Sequence, residues 1–295
     1  MSHSLEVVRP GPLALVEDAG RPGMAQIGVG VSGAADRRSY DLANRLVGNT
    51  TGAAAIEVTL GGLEVVAGGD LWITLTGAQA PMGIDGRAVP AYSVEPLRRG
   101  ERLAIGTPES GLRSYLAVRG GIDVPAVLGS RSADLLSAIG PQPLQPGDVL
   151  AIGDASGAFP SVDLAPPPRR PTEPVVLRAV RGPRDARIKN PEQLVETTWT
   201  SSDRSNRIGM RLDGAALLAD DEAGQLPSEG AWRGAIQVPP GGQPVLFLAD
   251  HPVTGGYPVL AVVADADVDR AAQVRPGESI RFEWWESPST QGGRQ

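Results

Sequence analysis

Glycine and proline interrupt this chain so often that its regular structure must come in short pieces. There are 38 glycines and 27 prolines among 295 residues, and aromatic side chains make up only 4%. Between the breaks stand brief runs rich in Val, Ile and Leu, the pattern of short strands joined by turns rather than of long helices. Three segments repeat one design: LRRGERLAIG at 97–106, LQPGDVLAIG at 144–153 and VRPGESIRF at 274–282. Each sets a glycine able to adopt positive φ ahead of a short apolar strand. Their recurrence near the end of each half points to two related β modules, and the length favours two domains over one.

Three stretches read as helices beside this β structure. In ADRRSYDLANRLVGN, Asp36 caps the start, Tyr40, Ala43, Leu46 and Val47 share a face, and Gly48-Asn49 closes it. SRSADLLSAIG offers Ser130 or Ser132 as a cap, an apolar side of Leu135, Leu136 and Ile139, and Gly140 as a stop. PEQLVETT carries a weaker third. The proline-rich stretch GDASGAFPSVDLAPPPRRPTEP, 153–174, is stiff, poor in backbone donors and reads as a linker. The expected division is a module at 1–155, a linker at 156–174, a second module at 175–285 and a disordered tail at 286–295.

Composition excludes several classes. A net charge of −7 argues against nucleic acid as a partner. With no cysteine there is no thiolate chemistry and no zinc or iron–sulfur site built on cysteine; no metal site is expected. No apolar stretch approaches the ~18 residues of a membrane span, and no secretory signal is legible, so a cytoplasmic protein is expected. Lys189 is the only lysine, and it lies in RIKNP. A phosphate-binding P-loop needs a lysine directly after its glycine, and RIKNP does not resemble a biotinylation hairpin. Any ATP or covalent biotin must therefore be presented by another chain.

Two motifs invite overreading. GVGVSG, Gly28 to Gly33, matches G-x-G-x-x-G ahead of a helix, but the segment before it is broken by Pro22 and by glycines, and no βαβ repeat surrounds it. A glycine-rich loop is the better reading. Its N–H groups, Ser32, the helix start at Asp36 and nearby Arg21 together suit an anion. Asp250-His251, in DHPVTGGYPV, suggests a catalytic triad. Neighbours on a strand point to opposite faces, however, and no G-x-S-x-G elbow occurs. A turn histidine bonded to backbone accounts for His251. Ser228, Glu229, Gln237 and Gln243 crowd the turns just before it, as at the rim of a pocket.

Several long motifs in order carry a resemblance: DAGRPGMAQIGVGVSGAADR, LANRLVGN with AAAIEVT, YLAVRGGIDVPAVLGSRSADL, SNRIGMRLDG, and SEGAWRGAIQVPPGGQPVLFLADHPVTGGYP. From about residue 9 to 283 the chain resembles the carboxyltransferase family that includes the C component of bacterial 5-oxoprolinase, also called allophanate hydrolase subunit 2. It is similar as well to part of urea carboxylase and to an antagonist of a sensor-kinase inhibitor. The resemblance implies a mainly β fold with a few short helices and two cyclophilin-like β-barrel modules. It also implies a partner (the B component, or allophanate hydrolase subunit 1), a third lactam-utilisation protein, and ATP used by the complex to open the lactam of 5-oxoproline to glutamate. Carried over as catalytic are Arg131, Gln237, Thr254 and Tyr257. Carried over as substrate-binding are Arg21, Ser32, Gly33, Asp36, Ser130, Asn206, Arg207, Gly255 and Gly256. The alternatives it implies are a regulatory module that sequesters a kinase inhibitor, and the carboxyltransferase part of a urea carboxylase or allophanate hydrolase system. The chain departs from the family in Glu17-Asp18-Ala19, where QD commonly precedes GR, and in Val259, where a basic residue often follows GGYP.

Overall fold

The computed structural model describes residues 3–155, 157–169, 173–220 and 226–285. The segment 286–295, expected to be a disordered tail, lies outside them. The chain divides into two compact units, Met1–Arg170 and Pro171–Gln295. Both are mainly β, as the spacing of breaks predicts. Among the described residues no helix is long and apolar enough to cross a membrane.

In the first unit the strands form a six-stranded and a five-stranded sheet. One core fills the space between them: Leu5, Val7, Val65 and Leu103 from the first sheet meet Val16, Ile56, Ile73 and Leu116 from the second. The five-stranded sheet is buried on its other face too. There the helix α1, Arg37–Leu46, lays Tyr40 and Ala43 against Ala55, Tyr115 and Ala117. Burial on both faces explains why strand Arg113–Val118 is buried at every position. α1 begins as the sequence indicates: Asp36 accepts from the Ser39 amide at 3.0 Å and the Ser39 hydroxyl at 2.6 Å.

The second unit is a closed seven-stranded barrel. Its seam is a parallel pair, Val175–Arg181 against Ser279–Trp284, in register from Val175 opposite Ile280 to Ala179 opposite Trp284. Leu177, Trp199, Met210, Ile236, Leu246, Leu260 and Phe282 fill it. Closure removes free edges, which suits strands as short as the three residues Ala235–Gln237. The helix α2, Gln193–Glu196, is the short remnant of the PEQLVETT stretch. A helix not anticipated, α3 at Asp265–Ala271, sends Val268 and Ala271 into the barrel core.

The three repeated turn segments share one mechanism. Gly100, Gly147 and Gly277 all have φ between 84° and 90°, and a Cβ on any of them would meet nothing, so backbone conformation alone selects glycine. The acid that follows closes each turn. Glu101, Asp148 and Glu278 accept from the amides of Arg98, Gln145 and Arg275 at 2.6, 2.7 and 2.7 Å.

One helix expectation fails. SRSADLLSAIG is a turn-rich loop, pinched where Asp134 and Ile139 exchange backbone hydrogen bonds. Asp134 caps a turn by accepting from the Leu136 and Ser137 amides, and Ala138 has φ 53°. The serines expected as caps are drawn instead to a distant aspartate. Leu135 and Leu136, the expected apolar side, are exposed. Residues 157–169 of the proline-rich stretch are part of the first unit. Val94 and Ala165 donate to Asp163 and Tyr92, and Arg119 stacks over Phe159 at 4.0 Å.

Candidate functional site

In the first unit a polar cluster forms around Asp18, which follows the strand Leu13–Glu17 and is 6% exposed. One carboxylate oxygen accepts from the Gly20 amide at 2.8 Å and from the Ser130 and Ser132 hydroxyls at 2.6 Å each. The other accepts from the Arg131 amide at 2.6 Å. This hub folds the 130–140 loop back onto the 18–34 loop. Ser32, strained at φ 54°, donates its hydroxyl to the Ala133 carbonyl at 2.8 Å. Gly33 permits the approach, since a Cβ there would lie 2.8 Å from the Gly20 nitrogen. Arg21, buried, donates Nη2 to the Ser132 carbonyl.

Arg21, Ser32, Gly33, Ser130 and Arg131, separated at the widest by more than a hundred residues of chain, thus come together. Asp36 stands at the next corner. Its amide donates to the Tyr115 hydroxyl at 2.7 Å, and that hydroxyl donates to Glu57 at 2.8 Å. Burial pushes the Tyr115 hydroxyl far above its ordinary range, and the charges of Glu57 and Asp36 add to the effect. It is a fixed neutral bridge, unsuited to proton transfer near neutrality. Arg131 is half-exposed, with Nε on the Val124 carbonyl and Nη2 on Asp123, both at 2.8 Å.

In the second unit the expected residues divide by exposure. Arg207 and Asp250 form a buried bidentate pair with both bonds at 2.9 Å. Arg207 is therefore built into the fold, with Asp250 as its bidentate acceptor. His251 stacks on Phe247 and directs Nδ1 to the Pro252 carbonyl at 2.9 Å, as a turn histidine should. Asn206 uses its side-chain oxygen to cap the Ile208 and Gly209 amides.

Gln237, Thr254, Gly255, Gly256 and Tyr257 form the other group. Thr254–Gly255 pairs with Glu229–Gly230 in a two-stranded ribbon beside the barrel. Gln237 is buried beneath it and donates to the Tyr257 carbonyl at 3.2 Å. A Cβ on Gly255 would lie 2.5 Å from Gln237 Nε2, so a larger residue there would push that amide from its place under the ribbon. Thr254, Gly256 and Tyr257 are exposed. Arg184 grips Glu229 from the side and holds the Glu229 carboxyl below its usual range against the opposing effect of burial. The ribbon thus presents two hydroxyls and a glycine amide on a braced base, a set that donates to an oxyanion or carbonyl oxygen.

Sequence reasoning missed Asp18 and Asp250 as organisers. Asp18 had a local signal, an acid two residues before a glycine, as in a side-chain-capped turn. Asp250 had none, because its partner lies 43 residues away. Among the described residues no group of three or more His, Cys, Asp or Glu is placed to hold a metal ion.

A two-unit, mainly β chain with a closed barrel is an architecture found in carboxyltransferase domains. The crystal structure of Kluyveromyces lactis urea carboxylase superimposes with a TM-score of 0.85 at 32% identity, covering 95% of this chain and 27% of that one. A longer crystallised protein gives a TM-score of 0.86 at 35% identity, and this chain spans 56% of its length. The family model "Carboxyltransferase domain, subdomain A and B" matches residues 27–284, and the chain belongs to that family. It is 39% identical to the C component of 5-oxoprolinase from Escherichia coli over 287 residues, 94% of this chain and 90% of that protein. It is 35% identical to urea amidolyase of Saccharomyces cerevisiae over 303 residues, 95% of this chain but 16% of that protein.

Proposed function

We propose that the chain is the C component of a cytoplasmic, ATP-dependent 5-oxoprolinase-type complex. It acts with a B component of the allophanate hydrolase subunit 1 type and a third lactam-utilisation protein to open 5-oxoproline to glutamate. The observation that carries this reading is the match along nearly the whole of both chains to the C component of the E. coli 5-oxoprolinase. The chemistry fits. An amide resists attack until its oxygen is stabilised as negative charge develops, and donors fixed in advance do this without reorganising. Thr254, Gly256 and Tyr257 are such donors, with Gln237 and Gly255 positioning them. Arg131, Arg21, Ser32, Gly33, Asp36 and Ser130 form the binding cluster of the first unit, while Asn206 and Arg207 hold the loop and barrel wall of the second. ATP is bound by another chain of the complex. This chain's single lysine, Lys189, donates its amide to the Leu218 carbonyl and sits in no glycine-rich loop.

The test is reconstitution of the three proteins with and without this chain. Turnover of ATP that depends on 5-oxoproline is expected only when the chain is present, and undiminished turnover without it removes the reading. A second reading, the carboxyltransferase part of a urea carboxylase system, is favoured by the superposition on the K. lactis enzyme. It requires a biotinylated partner, and avidin inhibition of the reconstituted activity separates the two.

A further inference from the structure

A guanidinium buried with two of its three nitrogens lacking acceptors needs an explanation. Arg21 is 1% exposed, yet its Nε and Nη1 have no hydrogen-bond partner among the described residues. Its one side-chain bond runs from Nη2 to the Ser132 carbonyl. Asp18, close by in sequence, spends its oxygens on Gly20, Ser130, Arg131 and Ser132. The other arginines marked for acidic groups are already held, Arg207 by Asp250 and Arg131 by Asp123 and the Val124 carbonyl. A charged donor left dry costs free energy unless an occupant supplies the acceptor. Backbone closes against one end of the Arg21 guanidinium, at Gly140. Gly140 has positive φ, and a Cβ on it would lie 3.2 Å from Arg21 Nη2 and 2.1 Å from the Ser132 carbonyl oxygen.

We propose that Arg21 is a buried receptor for the carboxylate of a small acid, which accepts from Nε–H and Nη1. The Asp18 carboxylate accepts from the same Ser132 whose carbonyl Arg21 holds, so further negative charge is costly there and a single charge is favoured over a dianion such as phosphate. The choice of 5-oxoproline as that acid rests on the function proposed above, since it carries one carboxylate beside its lactam. Entry requires the 130–140 loop or the 18–34 loop to move aside, so occupancy must saturate and not rise linearly as at a surface.

The test follows the Arg21 Nε–H resonance in the full-length chain during titration with 5-oxoproline, acetate and phosphate, together with calorimetry on Arg21→Lys and Arg21→Gln. A saturable shift with 5-oxoproline and acetate is expected, with affinity about 10- to 100-fold weaker in the variants. Should the variants not fold, the wild-type titration decides alone. No saturable shift, saturation by phosphate only, or a crystal soaked in acetate with only a water on Nε and Nη1, overturns the proposal. Such a failure leaves the 5-oxoprolinase reading standing, because omission of the chain decides that. Saturation by acetate but not by 5-oxoproline keeps the receptor and removes 5-oxoproline as its occupant.

Discussion

Separating the buried pair Arg207–Asp250 tests whether a family-motif arginine serves the fold or the substrate. Both side chains are almost wholly buried, and the two bonds of 2.9 Å use the side-on edge of the guanidinium. Removing one partner leaves the other charge in the barrel wall without its bidentate counter-charge, which costs about 3–5 kcal/mol, whereas replacing both with apolar groups of similar size is close to neutral. Asp250→Val and Arg207→Met should each lower the stability of the second unit by that amount. The double variant should recover most of it. For a unit of this size each kcal/mol corresponds to about 3–5 °C in Tm, so each single variant should lose about 10–20 °C. Urea unfolding followed by tryptophan fluorescence is suitable, since Trp199 is fully buried in the same core. If each single change costs under about 1 kcal/mol, or the double variant costs the sum of the singles, the pair is not the buried ion pair described. The reconstituted complex supplies a second reading. A double variant with restored stability should retain turnover, and loss of turnover from such a stable protein would return Arg207 to the substrate.

Asp18→Ala removes the acceptor of four donors and leaves two buried serine hydroxyls without it. It should destabilise the first unit by about 2–4 kcal/mol and speed proteolysis within 128–140, measured by urea unfolding and limited digestion. Burial pushes the Asp267 carboxyl up, but hydrogen bonds from the Arg178 side chain and amide and from Arg270 outweigh it and hold the folded pKa below the usual value. The stability this gives is present above about pH 4 and disappears as pH falls through the lower folded pKa, so Asp267→Asn should flatten the acid limb of urea midpoint against pH. Gly255→Ala places a Cβ 2.5 Å from Gln237 Nε2 and should reduce 5-oxoproline-dependent turnover with the barrel still folded by circular dichroism. Tyr257→Phe should lower turnover about 10- to 100-fold with little change in Tm, because it removes one exposed donor and no packing.

What could be read from sequence was what neighbouring residues decide. The Asp36 cap of α1 lies three residues from the amide it receives, and the turns at Gly100, Gly147 and Gly277 close through an acid one residue on. SRSADLLSAIG misled because its local signals are those of a helix. The deciding acceptor, Asp18, lies more than a hundred residues away in sequence. α3 went unseen because DADVDRA opens with acids that favour a helix start but offers a short apolar face. The site followed the same division. The motifs named Arg21 and Arg207 alike. Only the fold shows that Arg207 has an internal acid partner and that Arg21 has none among the described residues.

That contrast predicts different behaviour under mutation in the two units. In the first, the polar groups are enclosed: Ser32, Ser130 and Arg21 are each no more than 1% exposed, and each also ties one loop to another. A substitution there removes a contact that binding and folding share, so affinity and stability should fall together. In the second, burial is given to the pairs that build the barrel and its ribbon, Arg207–Asp250 and Gln237 beneath Gly255, while Thr254, Gly256 and Tyr257 remain exposed. Hydroxyl deletions on that rim strand no buried partner, so turnover should fall while Tm stays near its starting value. A plot of turnover against Tm across both sets should therefore separate into two branches. A single shared line would mean that the rim of the ribbon is structural and that its exposed hydroxyls do no chemistry.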